Sequence, residues 1–243
     1  MNRRGALAGL AVLAMGHDGH AASAWTIPWF SSAPLGPGPV SGWQHQTLPK
    51  VERANQFEVV ADGERRALRV TSSSSASTWL TRLQGELGPR PTLQWQWKVT
   101  KALPGSDLRS KQGDDYAARL YVLFDLPPDR LTLADRLRMQ AARALAGVEV
   151  PAAALCYVWG SAQPAGTTGW NPYTDRVRMV VVDSGDAQAG RWRANTRDLR
   201  RDWEEAFGGP IPPVGAIAVG ADTDNTRDNV EAWFGDVVVT NAS

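Results

Sequence analysis

Leu93-Gln94-Trp95-Gln96-Trp97-Lys98-Val99 is the stretch on which the fold turns. Apolar and polar residues alternate through it, the period of a strand with one buried and one wetted face. Leu93, Trp95, Trp97 and Val99 point one way; Gln94, Gln96 and Lys98 point the other. Working outward, 115–124 repeats the pattern, with Leu120, Val122 and Phe124 opposite Arg119 and Tyr121. Segments 57–60 and 67–71 flank Asp62-Gly63, a hairpin signal. Further strands are expected over 78–83, 154–159, 177–183, 216–222 and 232–240, with a solvated loop at the serine run 72–75.

Two helices interrupt this series. Thr132 caps a helix through residue 146, with Asp135 three residues on and an apolar stripe of Leu133, Leu137, Ala141 and Leu145. The second begins near Asn195 or Thr196. It carries Leu199, Trp203 and Phe207 at i, i+4, i+8 and stops at Gly208-Gly209-Pro210. Many short strands and few helices predict a mainly β chain: a jelly-roll-like antiparallel β-sandwich with two helical insertions.

The N-terminus has a different logic. Arg3 and Arg4 precede a short uncharged run, and Ala22-Ser23-Ala24 follows as a small-x-small cleavage pattern. Residues 1–24 are read as a signal peptide cut after Ala24, which makes the mature chain periplasmic or secreted. The run is too short to span a bilayer, which takes about 20 residues, and no later stretch supplies a transmembrane helix. Residues 25–49, rich in Pro and Gly, read as an extended lead-in, and 50–243 as a single β-sandwich domain.

Several chemistries are excluded. Lys and Arg total 26 against 25 Asp and Glu. Losing Arg3, Arg4 and Asp18 takes the formal charge from +1 to zero. A neutral chain without a basic cluster has no counterion-release term for nucleic acid. Cleavage also removes His17 and His20, so a three-histidine zinc site is impossible and a Ser-His-Asp triad is left with His45 alone. The single cysteine, Cys156, allows no intramolecular disulfide. There is no Walker loop and no Gly-x-Ser-x-Gly elbow.

Carboxylates, arginines and aromatic rings remain, in three clusters. Asp115, Arg119 and Tyr121 share a strand face, where Arg119 either binds a polar ligand or pairs with Asp115 to fix register. Asp222, Asp224 and Asn225, with Thr223 and Thr226 between and beyond them, either hold Ca²⁺ as oxygen donors or cap their own turn. Tyr157 and Trp159 share a face, and Trp170-Asn171-Pro172-Tyr173 follows; these rings either stack on sugars or fill the core.

Taken in order, the motifs are Trp95-Gln96-Trp97-Lys98, Asp114-Asp115-Tyr116-Ala117-Ala118-Arg119-Leu120-Tyr121, Tyr157-Val158-Trp159-Gly160 and Asn171-Pro172-Tyr173. Asp202 ahead of Phe207-Gly208 and Asp222-Thr223-Asp224-Asn225-Thr226 complete the set. This ordered set resembles the bacterial family called domain of unknown function 3047, across roughly residues 43–240. The resemblance implies an exported protein and carries no activity to transfer.

The leading expectation is a non-catalytic module that binds a glycan or other polar ligand on one sheet face. Gln94, Gln96, Lys98, Arg119, Tyr121, Tyr157, Trp159 and Arg178 would line that face, with Asn171 and Tyr173 beside it. Burial of Tyr157 and Trp159 with no cleft beside Arg119 would remove that platform. One alternative is a carbohydrate-active hydrolase or lyase using Asp115 and Asp222 as paired carboxylates; another is a structural envelope protein. No cofactor is expected, a structural calcium excepted. Intact-mass analysis of the exported chain should give Trp25 as its first residue, and retention of residues 1–24 would contradict the cleavage reading.

Overall fold

The computed structural model describes residues 27–48, 51–83, 88, 90–131, 133 and 152–241. The expected signal peptide and, Leu133 apart, the expected helix over 132–146 lie outside these residues. The described strands are β1 (Gly36–Pro37), β2 (Gln44–Thr47), β3 (Gln56–Asp62), β4 (Arg65–Ser73) and β5 (Ala76–Arg82). They continue with β6 (Pro91–Val99), β7 (Tyr116–Phe124), β8 (Ala153–Gly160), β9 (Thr168–Trp170), β10 (Val177–Ser184) and β11 (Arg193–Asp198). Helix α1 (Leu199–Phe207) precedes β12 (Val214–Asp222), β13 (Asn229–Phe234) and β14 (Val238–Asn241).

Two sheets result. Sheet I runs β1-β3-β4-β13-β6-β11, with β14 also on β6; sheet II runs β2-β5-β12-β7-β8-β10-β9. The pairs are antiparallel, except that β10 lies parallel to β8 with Met179 opposite Cys156. The sandwich is therefore mixed and not wholly antiparallel. The lead-in is built into it: β1 pairs β3 and β2 pairs β5, while Phe30 and Trp43 are buried and stacked at 4.8 Å. Asp62-Gly63 makes the β3–β4 turn, with Gly63 at φ +63°, where a side chain would be strained.

The alternation of β6 sets the core. Trp95 and Trp97 point inward, 5.2 Å from Tyr157 and 6.1 Å from Trp159 respectively. All residues of β8 are buried. Its uncharged run Ala-Ala-Leu-Cys-Tyr-Val-Trp-Gly is that of a strand covered on both faces. Tyr157 and Trp159 belong to the interior; Cys156 and Val158 face out beneath the 102–115 loop, forming a second apolar cluster with Leu108, Tyr116, Met179 and Val181. Sheet II is thus covered outside, whereas among the described residues no comparable layer covers the outer face of sheet I.

Polar tips inside the core are tethered. Trp97 Nε1 donates to Asp183 at 2.8 Å, Trp159 Nε1 to the Gly185 carbonyl at 3.1 Å, and Tyr157 Oη to Asp202 at 2.7 Å. Arg197 also donates to Asp202, through both Nε and Nη2. Among the described residues one α-helix is present, and it starts later than its periodicity predicts. Residues 193–198 pair with β6 as a strand. Asp198 then caps α1 by accepting from the Arg200 and Arg201 amides at 3.0 and 3.1 Å. The serine run is solvated only in part: Ser73 is exposed, whereas Ser72 and Ser75 are buried in a network with Thr223 and Asn55.

Asp202→Ala strands the Tyr157 hydroxyl and the Arg197 guanidinium at once. Leaving the buried Tyr157 hydroxyl unpaired beside a part-exposed Arg197 should cost about 1–3 kcal/mol, read by urea denaturation. A change below about 1 kcal/mol would mean that the tether carries no weight.

Candidate functional site

The motifs expected to bind ligand meet in part. Arg119 is 3% exposed on the outer face of sheet II. Its Nη2 donates to the Asp114 carbonyl, to Asp114 Oδ1 at 3.2 Å and to Asp222 Oδ2 at 2.9 Å; its Nη1 donates to the Tyr121 hydroxyl at 3.2 Å. Asn171 Nδ2 donates to Asp114 Oδ2 at 2.9 Å. Tyr173, 59% exposed, lies over the Lys111 ammonium at 5.1 Å. Arg119, Tyr121, Asn171 and Tyr173 are therefore brought to one region. Arg119 pairs with Asp114 and Asp222 and not with Asp115.

The other expected residues are placed elsewhere. Tyr157 and Trp159 have no exposed surface and face the interior, so neither serves as a platform beside Arg119; of the expected aromatic cluster Trp170 and Tyr173 are the exposed rings. Arg178 sits elsewhere, at the β9–β10 edge, donating to Thr168 at 2.6 Å with Trp170 5.1 Å away. The physical reason is pleat direction: odd residues of β7 face out while odd residues of β8 face in.

The acidic cluster is closely built. Asp115, Asp222 and Asp224 each offer an oxygen within 4.8 Å of the others. Such hard donors are the kind that hold Ca²⁺, and neighbouring carboxylates are also what an acid–base pair requires. Asp115, however, is wholly buried and accepts four hydrogen bonds, from the Asn225 amide and side chain and from the Thr226 amide and hydroxyl. These fill its four lone-pair sites. A cation, or a proton in transit, would compete with all of them. Asn225 spends its side-chain N–H on Asp115. Asp222 Oδ1 is buried with no hydrogen-bond partner. Burial pushes Asp222 well above the ordinary carboxylate range; Arg119 opposes this, and the neighbouring Asp224 and Asp115 reinforce it. Cys156 lies below, its thiol pushed up to about 12 by burial, and is inert as a nucleophile.

His45 is a strand residue, in β2, and not part of an irregular segment; its Nε2 lies 2.9 Å from Ser77 Oγ. Ser77 is buried and accepts from the Asn55 amide at 2.8 Å, so no exposed nucleophile results.

An open site lies on the outer face of sheet I instead. A groove of about 700 Å³ is lined by Arg65, Arg66 and Ala67 of β4, Gln94 and Gln96 of β6, and Ala194 and Thr196 of β11. Trp192, Glu64, Asp236 and Ser31 complete much of its rim. The groove exists because the expected strand over 232–240 is broken. β13 ends at Phe234 and β14 resumes at Val238, and Asp236 turns away to accept from Ser31 N and Oγ at 3.0 and 2.5 Å. Trp192 Nε1 donates to Asp62 at 2.6 Å, and Lys98 Nζ reaches the same carboxylate at 2.6 Å. The Lys98 hydrogen bond holds Asp62 below the ordinary carboxylate range. Lys98 also sits 4.3 Å over Trp233, and Arg65, which donates to Gln96, lies 5.5 Å from the Trp192 ring. Of these groups Gln94, Gln96 and Lys98 were legible from alternation, whereas Trp192 and Trp233 were missed. The signal for Trp233 was present: Glu231 and Trp233 alternate against Val230, Ala232 and Phe234.

The profile of the family described as protein of unknown function (DUF3047) matches residues 41–238, so the chain belongs to that family. No curated protein matches it. Among solved structures it is similar to a xyloglucanase domain of NopAA from Sinorhizobium fredii in complex with cellobiose, at 11% identity and TM-score 0.44, covering 86% of this chain and 99% of that one. It is similar to a β-1,2-glucanase from Parabacteroides distasonis at 14% identity and TM-score 0.41, covering 89% of this chain and 25% of that one. It is also similar to an adhesin domain of Lys-gingipain from Porphyromonas gingivalis at 11% identity and TM-score 0.37, covering 88% and 96%. Likenesses this distant carry nothing about ligand or chemistry.

Asp222 gives a pH signature. A carboxyl that binds its proton more tightly when folded adds stability that is full below its ordinary value of 3.8 and fades as pH rises through the folded value. Asp222→Asn keeps an oxygen for Arg119 without the charge. In EDTA, its melting temperature relative to wild type should therefore rise as pH is raised from acid to neutral. Parallel curves would show that Asp222 ionises without cost.

Proposed function

We propose that this member of the family is an exported, non-catalytic module that binds a glycan in the groove on the outer face of sheet I. The observation that carries the reading is the groove itself. It is an open, ~700 Å³ depression on a sheet face, within the size range of small-ligand sites. It joins one partly exposed indole to amide and hydroxyl groups from two adjacent strands. Sugars present apolar C–H faces and polar rims together, and a tryptophan beside amides meets both demands. Export is supported by the N-terminal pattern of charge, apolar run and Ala22-Ser23-Ala24.

A hydrolase or lyase built on Asp115 and Asp222 has neighbouring carboxylates but the wrong availability. Both oxygens of Asp115 are committed to the 225–226 turn, leaving it no capacity to act as acid or base on a substrate. A purely structural envelope role would be favoured by a featureless sheet face, and the groove argues against that.

The test is a glycan array probed with the mature chain. Wild type should bind a defined set, and Trp192→Ala should lower affinity for it about tenfold or more, as for a central aromatic anchor. Gln94→Ala, on an exposed side chain, should weaken it by a few-fold. Binding unaffected by either change would place the ligand elsewhere.

A further inference from the structure

The charges of the groove restrict what it accepts. Arg65 and Arg66 are the cations of its lining, and Glu64 and Asp236 are the carboxylates. The two guanidiniums are matched in number by two carboxylates, although no ion pair joins them among the described residues. Arg66 donates to the Ala33 carbonyl at 2.8 Å, and Arg65 is held by Gln96 and the Trp192 ring. Nearby Lys98 is neutralised by Asp62 at 2.6 Å. No cation of the lining is in excess over the carboxylates beside it. Glu64, exposed at the rim in the β3–β4 turn, makes no hydrogen bond or ion pair with the described residues.

A uronate, sulfate or phosphate needs a guanidinium or ammonium with charge to spare, normally in bidentate geometry. This groove sets beside its guanidiniums an equal number of carboxylates, of which the unpaired Glu64 repels an anion, together with neutral donors and acceptors at Gln94 and Thr196 suited to hydroxyls. Resting on the groove as the binding site, we propose that its ligand class is neutral polysaccharide, and that the charge balance around Glu64 excludes acidic glycans. Spare N–H groups on Arg65 and Arg66 serve sugar hydroxyls, since a guanidinium has five donors.

Affinity gel electrophoresis of the mature chain tests this with neutral polymers (xyloglucan, β-glucan, galactomannan) and acidic ones (polygalacturonate, alginate, heparin). The expected result is retardation by at least one neutral polymer and by none of the acidic ones. Trp192→Ala should abolish the retardation. Ala194→Arg, on an exposed lining residue, should abolish it too, which guards against a folding defect in the first variant. Glu64→Lys should introduce retardation by polygalacturonate while keeping that by the neutral polymer. Wild-type retardation by an acidic polymer that disappears in Trp192→Ala would overturn the charge argument and leave the groove reading standing. Retardation by no polymer, or retardation indifferent to both lining variants, would overturn the groove reading and this inference with it.

Discussion

The two-residue period of β6 is the constraint on which the rest depends. One face of this strand carries Trp95 and Trp97 into the sandwich, against Tyr157 and Trp159. The other carries Gln94, Gln96 and Lys98 to solvent. A slip of one residue would exchange the two sets, burying an ammonium and two amides while exposing two indoles. Register is therefore strongly specified here. Because β6 pairs with β13, β14 and β11, its register is passed to the strands that line the groove.

The two sheets divide their labour for a similar reason. β8 has no charged residue and is covered on both sides, which requires the 102–115 loop to close the outer face of sheet II. Arg119, Asp114 and Asp222 lie at the end of that covered face, paired with one another. Buried ion networks of this kind are costly to break and of modest net benefit when intact. Among the described residues sheet I has no such cover. Its outer face is stabilised by cross-strand pairs such as Lys98–Asp62 and Arg69–Glu58, and there the broken strand at 235–237 leaves room.

Much of this was legible in the sequence. Alternation located β6 and β7, Asp62-Gly63 located the hairpin, and the ordered motifs identified the family. What was hidden depended on strand order. Tyr157 and Trp159 were rightly put on one face, but which face is interior is set by neighbours far along the chain. Periodicity places a helix start near Asn195 or Thr196 because Leu199, Trp203 and Phe207 recur helically; the strand before them alternates weakly, and Asp198 is the residue that caps. Trp192 was invisible as a site residue because its partners, Asp62 and Arg65, come from the opposite side of the sheet in sequence terms. The serine run looked solvated because hydroxyls are polar, yet Ser72, Ser75, Thr223 and Asn55 satisfy one another.

The central claim is that the wetted face of β6, with Trp192 beside it, is where ligand meets protein. Indole ¹H–¹⁵N resonances report this directly, because each tryptophan Nε1–H gives its own signal. On titration with a neutral oligosaccharide, the Trp192 resonance should shift progressively, with a smaller change at Trp233. Trp97 and Trp159, tethered to Asp183 and Gly185 in the core, should stay fixed. A saturable shift confined to Trp170 or to the core indoles, with Trp192 unmoved, would contradict the account.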